Sequence, residues 1–417
     1  MSKYIIGGGR RLSGSIAVPG AKNSVLPILA ASILTAEPVL IHNSPGLSDA
    51  ENMLKILESL GCRVGRNGSD LSIDASNPKN FVMPEALAKV IRSSIFMLGP
   101  IVARLGRAVF YYPGGCEIGL RPIDLHLKGL RSLNVDITEE HGKIICKADR
   151  LIGSAVHLDY PSVGATENIM MAAVLAEGRT EIQNAAREPE VLDLQKFLNN
   201  LGGRVSGAGT DTVIIDGVTS LGKGEHTIMP DRIVAGTLMA AAAITEGDIT
   251  LEGAVADHMH STIAKIRETG CLVDIGEDYI RVRGPERPKE LVLLETLPYP
   301  GFPTDMQAQM FAVASVAQGT SIIVENVFDN RFKHAAELAK MGANATIKGR
   351  MAIIRGVPRL YGSEVRARDL RGGAALTLAA LRAERNSVVE GAEIIERGYE
   401  RLDLMLESLG ADIRKID

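Results

Sequence analysis

A glycine-rich segment contains the one cysteine whose surroundings suit chemistry. Cys116 lies in YYPGGCEIGLRPIDLHL (111–127), among glycines rather than within an apolar run. A thiol in such a loop is partly exposed, and a cation such as Arg121 or Lys22 can make it reactive. The pattern therefore predicts a chemical role for Cys116. A Cys–His hydrolase with His126 as the base is the competing interpretation, but the segment offers no oxyanion motif.

Basic side chains recur at the predicted starts of helices, in a chain whose net charge is −4. Arginine binds phosphate and carboxylate through a two-pronged fork, and helix N-termini also favour anions. One arginine alone can be explained by an ion pair with a neighbouring acid, as for Arg187 beside Glu188 or Glu190. The whole set instead predicts a site for a ligand with several negative charges. Its members are Lys22, Arg92, Arg121, Arg187, Arg232, Arg331, Arg371 and Arg397.

Composition restricts the class of protein further. The chain has 417 residues, of which 46% are hydrophobic and 23% are charged, as in soluble globular proteins of two to four domains. The acidic balance disfavours nucleic-acid and membrane-surface partners. The N-terminal residues lack a signal-peptide pattern, and the apolar run 24–36 is too short to span a bilayer, so we expect a cytoplasmic protein. Four cysteines without CxxC spacing predict reduced thiols and no metal site.

A signature of about seventy residues recurs six times along the chain. It consists of an amphipathic helix, a small turn residue and a β-hairpin, and Gly or Asn suits the left-handed conformation that closes a helix. The turn residues, spaced by 68 to 73 positions, are Gly61, Asn134, Gly202, Gly270, Gly342 and Gly410. Each repeat also contains an earlier helix rich in Ala, Leu and Met around its whole circumference, which predicts a helix buried on every side.

The repeats predict an α/β fold with two inside-out α/β domains, each of three β-α-β-α-β-β repeats around buried parallel helices. Pro19 and Pro230 punctuate similar positions and mark the expected crossovers. The first domain would then be residues 20–229, and the second would be residues 1–19 plus 230–417. The first strand would pair with the C-terminal half, and the active site would lie in the cleft between the domains. An open, non-catalytic repeat scaffold is the alternative.

Eight ordered motifs resemble one known family across nearly the whole chain. They are GAKN (20–23), PGGCEIGLRPIDLH (113–126), SVGATEN (162–168), NAAREPE (184–190), FPTDMQAQ (302–309), ENVFDNRFKH (325–334), DLRGG (369–373) and RGYERLD (397–403). The chain thus resembles the enolpyruvyl transferases, in particular the UDP-N-acetylglucosamine 1-carboxyvinyltransferases, whose fold has two inside-out domains of three repeats. The resemblance implies transfer of the enolpyruvyl group of phosphoenolpyruvate to UDP-N-acetylglucosamine, the first committed step of peptidoglycan synthesis, without metal or organic cofactor.

The resemblance also implies roles for individual residues. Cys116 would protonate the methylene carbon, form a covalent adduct with phosphoenolpyruvate and react with fosfomycin. Asp305 would act as a base, on the sugar 3-hydroxyl or in the final elimination. Phosphoenolpyruvate and the reacting groups would be held by Lys22, Asn23, Arg121 and Arg397, with Arg331 and Arg371 lining the same cleft. The nucleotide sugar would contact Arg92, Arg121, Pro122, Ile123, Asp124, Leu125, Tyr160, Pro161, Ser162, Val163, Asp305 and Val327.

The closest alternative chemistry is that of a shikimate-3-phosphate enolpyruvyl transferase, which shares the fold and the donor. Its counterpart of the cysteine loop normally carries no cysteine, so the PGGC sequence at 113–116 disfavours it.

Overall fold

The computed structural model describes residues 2–112 and 123–417. Their contacts form two compact units, each with its own hydrophobic core. Unit 1 contains residues 2–19 and 230–417, and unit 2 contains residues 20–112 and 123–229. Among the described residues, no helix combines the length and the apolar character needed to cross a membrane.

The described residues form helices and short strands throughout. The α-helices are α1 (Lys22–Ala31), α2 (Ser48–Ser59), α3 (Glu85–Val90), α4 (Leu98–Leu105), α5 (Asp124–Ser132), α6 (Val163–Ala173), α7 (Pro189–Asn200), α8 (Arg232–Thr245), α9 (His260–Glu268), α10 (Gln307–Val316), α11 (Lys333–Lys340), α12 (Leu370–Arg382), α13 (Ala392–Ile395) and α14 (Leu402–Ser408). The strands are β1 (Lys3–Gly7), β2 (Ser13–Ala17), β3 (Val39–His42), β4 (Arg63–Asn67), β5 (Asp70–Asp74), β6 (Arg107–Tyr111), β7 (Asp136–Glu140), β8 (Lys143–Lys147), β9 (Ala155–His157), β10 (Arg179–Gln183), β11 (Val205–Ser206), β12 (Thr212–Asp216), β13 (Gly224–Thr227), β14 (Asp248–Glu252), β15 (Leu272–Ile275), β16 (Tyr279–Arg283), β17 (Leu294–Glu295), β18 (Thr320–Val324), β19 (Asn344–Lys348), β20 (Met351–Arg355), β21 (Glu364–Arg366), β22 (Asn386–Glu390) and β23 (Asp412–Ile416).

Three helices fill the centre of each unit. In unit 1, α8, α10 and α12 pack against one another, and in unit 2, α6 packs against both α1 and α4. Every residue of α10 is buried, as is α8 from Ile233 onward. Their many alanines allow neighbouring helices to approach on all sides. The prediction of helices buried all round is thus confirmed for α8 and α10, whereas the last turn of α4, 103–105, is only half-buried.

Three small sheets surround the central helices of each unit. In unit 2 their strand orders are β13-β3-β5-β4, β6-β8-β7 and β11-β12-β10-β9. In unit 1 they are β21-β22-β1-β23, β15-β16-β14-β2 and β17-β18-β20-β19. Strand β1 lies between β22 and β23 and is antiparallel to both, while β2 is parallel to β14. The predicted pairing of the first strand with the C-terminal half is therefore confirmed.

The six repeat turns have the backbone conformation that their sequence predicts. All six turn residues have φ between 67° and 101°, and Asn134 is the one that is not glycine. Residues with a side chain rarely adopt this left-handed backbone conformation, which glycine and, less readily, asparagine tolerate. Each turn ends an amphipathic helix and begins a hairpin strand, so the repeat signature reports a real structural unit.

Candidate active site

Three of the predicted site residues meet in unit 1, in what we call the Asp305 cluster (Asp305, Arg331 and Arg371). Asp305 lies in a 3-10 turn, Thr304–Met306, that leads into α10. Arg331 Nη2 donates to Asp305 Oδ1 at 2.8 Å. Arg371 donates to Asp305 Oδ2 through Nε at 3.2 Å and through Nη2 at 3.0 Å. Both carboxylate oxygens therefore accept from charged donors, which is the arrangement of an ionised carboxylate.

The two guanidinium groups of the Asp305 cluster are almost fully buried. The side chains of Arg331 and Arg371 are each 2% exposed, whereas that of Asp305 is 25% exposed. In each arginine, Nη1 is buried and has no hydrogen-bond partner among the described residues. A buried charged donor without an acceptor is costly. These two nitrogens are therefore candidates to bind oxygens of an anionic ligand.

The charge of Arg371 is secured by its neighbours. Burial lowers the pKa of the Arg371 guanidinium, but Asp305, Tyr399 and Asp231 raise it, and its pKa lies above the ordinary value. The guanidinium carbon also lies 5.1 Å from the centroid of the Tyr399 ring, within the range of a cation–π contact. Arg371 therefore stays positively charged, as binding of phosphate or carboxylate requires.

Aspartates cap two of the three central helices of unit 1. Asp231 accepts hydrogen bonds from the backbone N–H groups of two residues at the start of α8, and Asp369 does the same at the start of α12. Four N–H groups lack intrahelical partners at each helix start, so two of the four are already bonded here. At α8 and α12, fewer backbone N–H groups are therefore left for an anion than the sequence predicted, and side chains supply the principal donors.

Lys22 and Asn23 begin the central helix α1 of unit 2. Lys22 Nζ lies 2.8 Å from Asp49 Oδ2 in the first turn of α2, and both side chains are buried. The next residue, Asn23, is half-buried. Asp49 was not among the residues predicted from the sequence, although a buried lysine needs an acidic partner of this type.

His126 is poorly suited to act as a base. Burial, and after it the charge of Arg92, lowers the pKa of the His126 ring to about 3. Its Nδ1 lies 3.1 Å from Asn168 Nδ2 in the buried interior of unit 2. A ring that stays neutral near pH 7 and binds a proton so weakly contributes little as a general base. The structure therefore disfavours the Cys–His hydrolase interpretation.

Several residues predicted for the nucleotide sugar lie at the starts of two packed helices of unit 2. Ile123, Asp124 and Leu125 begin α5, and Ser162 caps α6 by accepting from the Ala165 N–H at 3.3 Å. A Cβ added at Gly164 would lie 3.1 Å from His126 Cε1, so the two helix starts are adjacent. Tyr160 is exposed, Pro161 and Val163 are half-buried, and Arg92 begins a 3-10 segment that also packs on α6.

Two further predicted residues lie in unit 1. The Val327 N–H donates to Glu325 Oε1 at 2.8 Å, on the segment that leads to Arg331. Arg397 is half-buried between α13 and α14, two residues before Tyr399. Of the other basic residues at helix starts, Arg187 pairs at 3.4 Å with Asp211 on the surface, as an ordinary ion pair rather than a ligand contact.

The predicted cysteine loop, with Cys116, Arg121 and Pro122, lies outside the described residues. The other three cysteines are buried. Burial raises the pKa of the Cys62 and Cys146 thiols to about 12 and that of Cys271 to about 11. Since the thiolate is the reactive form, these three residues are chemically inert near neutral pH.

The chain is similar over its full length to proteins of one family. The sequence model described as EPSP synthase (3-phosphoshikimate 1-carboxyvinyltransferase) matches residues 6–405. The chain is 54% identical over 416 residues to UDP-N-acetylglucosamine 1-carboxyvinyltransferase 2 of Caldanaerobacter subterraneus subsp. tengcongensis, covering 100% of both chains. It is 48% identical to UDP-N-acetylglucosamine 1-carboxyvinyltransferase 1 of Staphylococcus aureus, again covering 100% of both.

Solved structures of enolpyruvyl transferases have the same fold as this chain. The enolpyruvyl transferase NikO from Streptomyces tendae matches with a TM-score of 0.90 at 25% identity, covering 99% of this chain and 98% of that one. EPSP synthase from Acinetobacter baumannii has a TM-score of 0.77 at 19% identity, covering 100% of both chains, which shows the fold alone.

The chain therefore belongs to the EPSP synthase family of enolpyruvyl transferases, and it is a transferase enzyme. Within that family, full-length relatives at about half identity carry the name UDP-N-acetylglucosamine 1-carboxyvinyltransferase. These matches confirm the predicted family and the predicted α/β fold class, and they set aside the non-catalytic scaffold.

Proposed function

We propose that the chain transfers the enolpyruvyl group of phosphoenolpyruvate to the 3-hydroxyl of UDP-N-acetylglucosamine and releases phosphate, the first committed step of peptidoglycan synthesis. The observation that carries the proposal is the Asp305 cluster, where a carboxylate is held by two buried arginines with unpartnered Nη1 atoms. A carboxylate base and anion-binding donors are two of the functions that this reaction needs. The names of the full-length relatives favour the same donor and acceptor.

The reaction proceeds by addition and elimination. Cys116 gives its thiol proton to the methylene carbon of phosphoenolpyruvate, which leaves an electron-poor carbon bearing the phosphate and the carboxylate. The oxygen of the sugar 3-hydroxyl forms a bond to that carbon while Asp305 accepts its proton. In the second stage the bond to phosphate breaks and the phosphate takes up the proton held by Asp305, while the Cys116 thiolate accepts a proton from the new methyl group, which restores the double bond and both side chains. An acid and a base are therefore needed both when the tetrahedral intermediate forms and when it breaks down.

The basic residues offset the charges of the substrates and of the departing phosphate. Donors that are already oriented stabilise developing charge more effectively than water, because they need no reorganisation during the reaction. In the proposal, Lys22, Arg121 and Arg397 contact phosphoenolpyruvate, and Asn23 orients the reacting groups. Arg331 and Arg371 hold Asp305 and offer their Nη1 atoms to ligand oxygens. Arg92 and the starts of α5 and α6 bind the nucleotide sugar.

Phosphate release with different acceptors tests the proposal. The full chain is incubated with phosphoenolpyruvate and either UDP-N-acetylglucosamine or shikimate 3-phosphate, and phosphate and product mass are measured. We expect release only with the nucleotide sugar, with a product heavier by one enolpyruvyl group. Release only with shikimate 3-phosphate would replace the proposed acceptor, and release with neither would refute the proposed reaction.

A matched pair of variants tests the role of the Asp305 cluster. Asp305→Asn removes the carboxylate base and should lower turnover by about 10²–10⁴-fold. Asp248→Asn is the control, because Asp248 also accepts from Nε and Nη2 of one arginine, Arg281, but its side chain is 42% exposed on β14 of the same unit. Equal turnover of the two variants would exclude Asp305 from the chemistry.

A further inference from the structure

Three polar side chains are buried together among the central helices of unit 1, and we call them the Tyr399 network (Thr237, Gln309 and Tyr399). Thr237 comes from α8, Gln309 comes from α10, and Tyr399 precedes α14. All three are at most 1% exposed, in a core that is otherwise largely Ala, Leu and Met. Polar groups in such a core are costly unless they are bonded, so their bonds are informative.

Gln309 is the donor that links the Tyr399 network to Asp305. The Thr237 hydroxyl donates to the Ile233 carbonyl at 2.7 Å, so at 2.9 Å the Tyr399 hydroxyl donates to Thr237 Oγ1. Gln309 Nε2 in turn donates to the Tyr399 hydroxyl at 3.0 Å. The same Nε2 also donates to the Asp305 carbonyl at 2.9 Å, and it lies 3.0 Å from Thr237 Oγ1. Gln309 thus donates both to the backbone of Asp305 and to the pair of hydroxyls that ends on α8.

The same tyrosine contacts the Asp305 cluster from the other side. The guanidinium carbon of Arg371 lies 5.1 Å from the centroid of the Tyr399 ring, which is a direct contact between the two side chains. Burial raises the pKa of the Tyr399 hydroxyl, which keeps it a neutral donor. The Tyr399 network therefore contacts both partners of one ion pair: the backbone of Asp305 through Gln309, and the guanidinium of Arg371 directly.

We propose that Tyr399 is a positioning residue, which acts through Arg371 and Gln309 to hold the Asp305 carboxylate in the position from which it reacts with the substrate. The proposal rests on the proposed function. A phenylalanine would keep the ring and its contact with the guanidinium, but it would remove the hydroxyl, one of the three oxygen acceptors around Gln309 Nε2. The Asp305 turn and the Arg371 side chain would then lose a shared constraint, and small displacements of catalytic groups reduce rates strongly.

Steady-state kinetics of Tyr399→Phe tests the inference, with Tyr4→Phe as the matched control. Tyr4 is also fully buried in unit 1, but it lies on β1 and its charged neighbours are Glu396, Asp403 and Arg401. We expect Tyr399→Phe to lower kcat by about 10- to 100-fold, with a much smaller change in KM for either substrate. Tyr4→Phe should retain the wild-type kcat. Equal kcat values for the two variants would overturn the inference.

A double-mutant cycle distinguishes positioning from general destabilisation. In an Asp305→Asn background the base is already lost, so Tyr399→Phe should lower the residual rate by less than about threefold. The same factor in both backgrounds would mean that Tyr399 does not act through Asp305. Should Tyr399→Phe fail to fold, Thr237→Val and Thr237→Ser decide instead, because only serine keeps the hydroxyl that accepts from Tyr399. Loss of kcat in the valine variant with retention in the serine variant supports the inference, and equal activity refutes it.

The wild-type chain separates this inference from the proposed function. If the wild type releases no phosphate with UDP-N-acetylglucosamine, the proposed function fails, and the positioning role, which rests on it, fails with it. If the wild type is active and Tyr399→Phe is equally active, the positioning role alone fails.

Discussion

Replacing Asp305 by alanine would leave two buried guanidinium groups without the carboxylate that they share. Arg331 and Arg371 are 2% exposed, so water cannot take over the lost hydrogen bonds. Breaking a buried ion pair by removing one partner typically costs about 3–5 kcal/mol. Asp305 itself is 25% exposed, which places the expected loss near the lower limit, at about 3 kcal/mol. In a unit of this size that corresponds to a fall in Tm of about 6–12 °C.

Urea and thermal unfolding of Asp305→Ala and Asp248→Ala measure this cost. The control breaks an ion pair whose side chains are 46% and 42% exposed, and such surface pairs contribute about 0–1 kcal/mol. Adding Arg371→Met to Asp305→Ala should recover part of the loss, because it removes one of the uncompensated charges. Inorganic phosphate should also stabilise Asp305→Ala more than the control, since a ligand that binds only the folded state raises its stability. A difference between the two single variants below about 1 kcal/mol would refute the buried-charge reasoning.

Two further predictions concern thiols and pH. Cys116→Ser should keep the fold but lose nearly all turnover. Fosfomycin should alkylate Cys116 and spare the buried Cys62, Cys146 and Cys271. Peptide mass spectrometry that found the label mainly on one of those three would contradict the prediction. Burial lowers the pKa of the His334 ring to about 4. Between about pH 6.5 and pH 4 the ring is therefore protonated in the unfolded chain but neutral in the folded chain. Protonation stabilises the unfolded chain, so the free energy of unfolding falls as the pH falls below about 6.5. His334→Phe should therefore reduce the loss of unfolding free energy between pH 7 and pH 5 by about 2 kcal/mol. The exposed His260→Gln is the control and should not reduce it. If His334→Phe left the pH dependence unchanged, His334 would be charged in the folded state.

The sequence predicted the repeats better than the contacts that hold the candidate site residues. The turn residues and all-round apolar helices are local patterns, so their consequences can be derived from one segment at a time. The partners of Asp305 lie 26 and 66 residues away, and the contact of Lys22 with Asp49 depends on how α1 packs on α2. Such pairings follow from the packing of helices, which no single motif encodes.

The Tyr399 network did leave a signal in the sequence. Thr237 and Gln309 are buried polar residues inside helices that are largely apolar on all sides, although α10 also contains Gln307 and Ser315. A polar side chain in that position needs a buried partner, so it indicates that a partner exists but not which one. Tyr399 could be identified as that partner only once the three chain segments were placed together.

The position of β1 between β22 and β23 has a consequence for synthesis on the ribosome. Its partners begin at Asn386, about 380 residues after β1 itself, which is roughly 20–80 s of translation at typical rates. During that interval the chain of unit 2, whose described residues all lie between 20 and 229, is completed, while Tyr4 and Ile6 have no partner strand. Sequence separation of this kind slows folding, and an unpaired apolar strand invites association with other chains. The nascent protein must therefore carry an unpaired strand until β22 and β23 emerge.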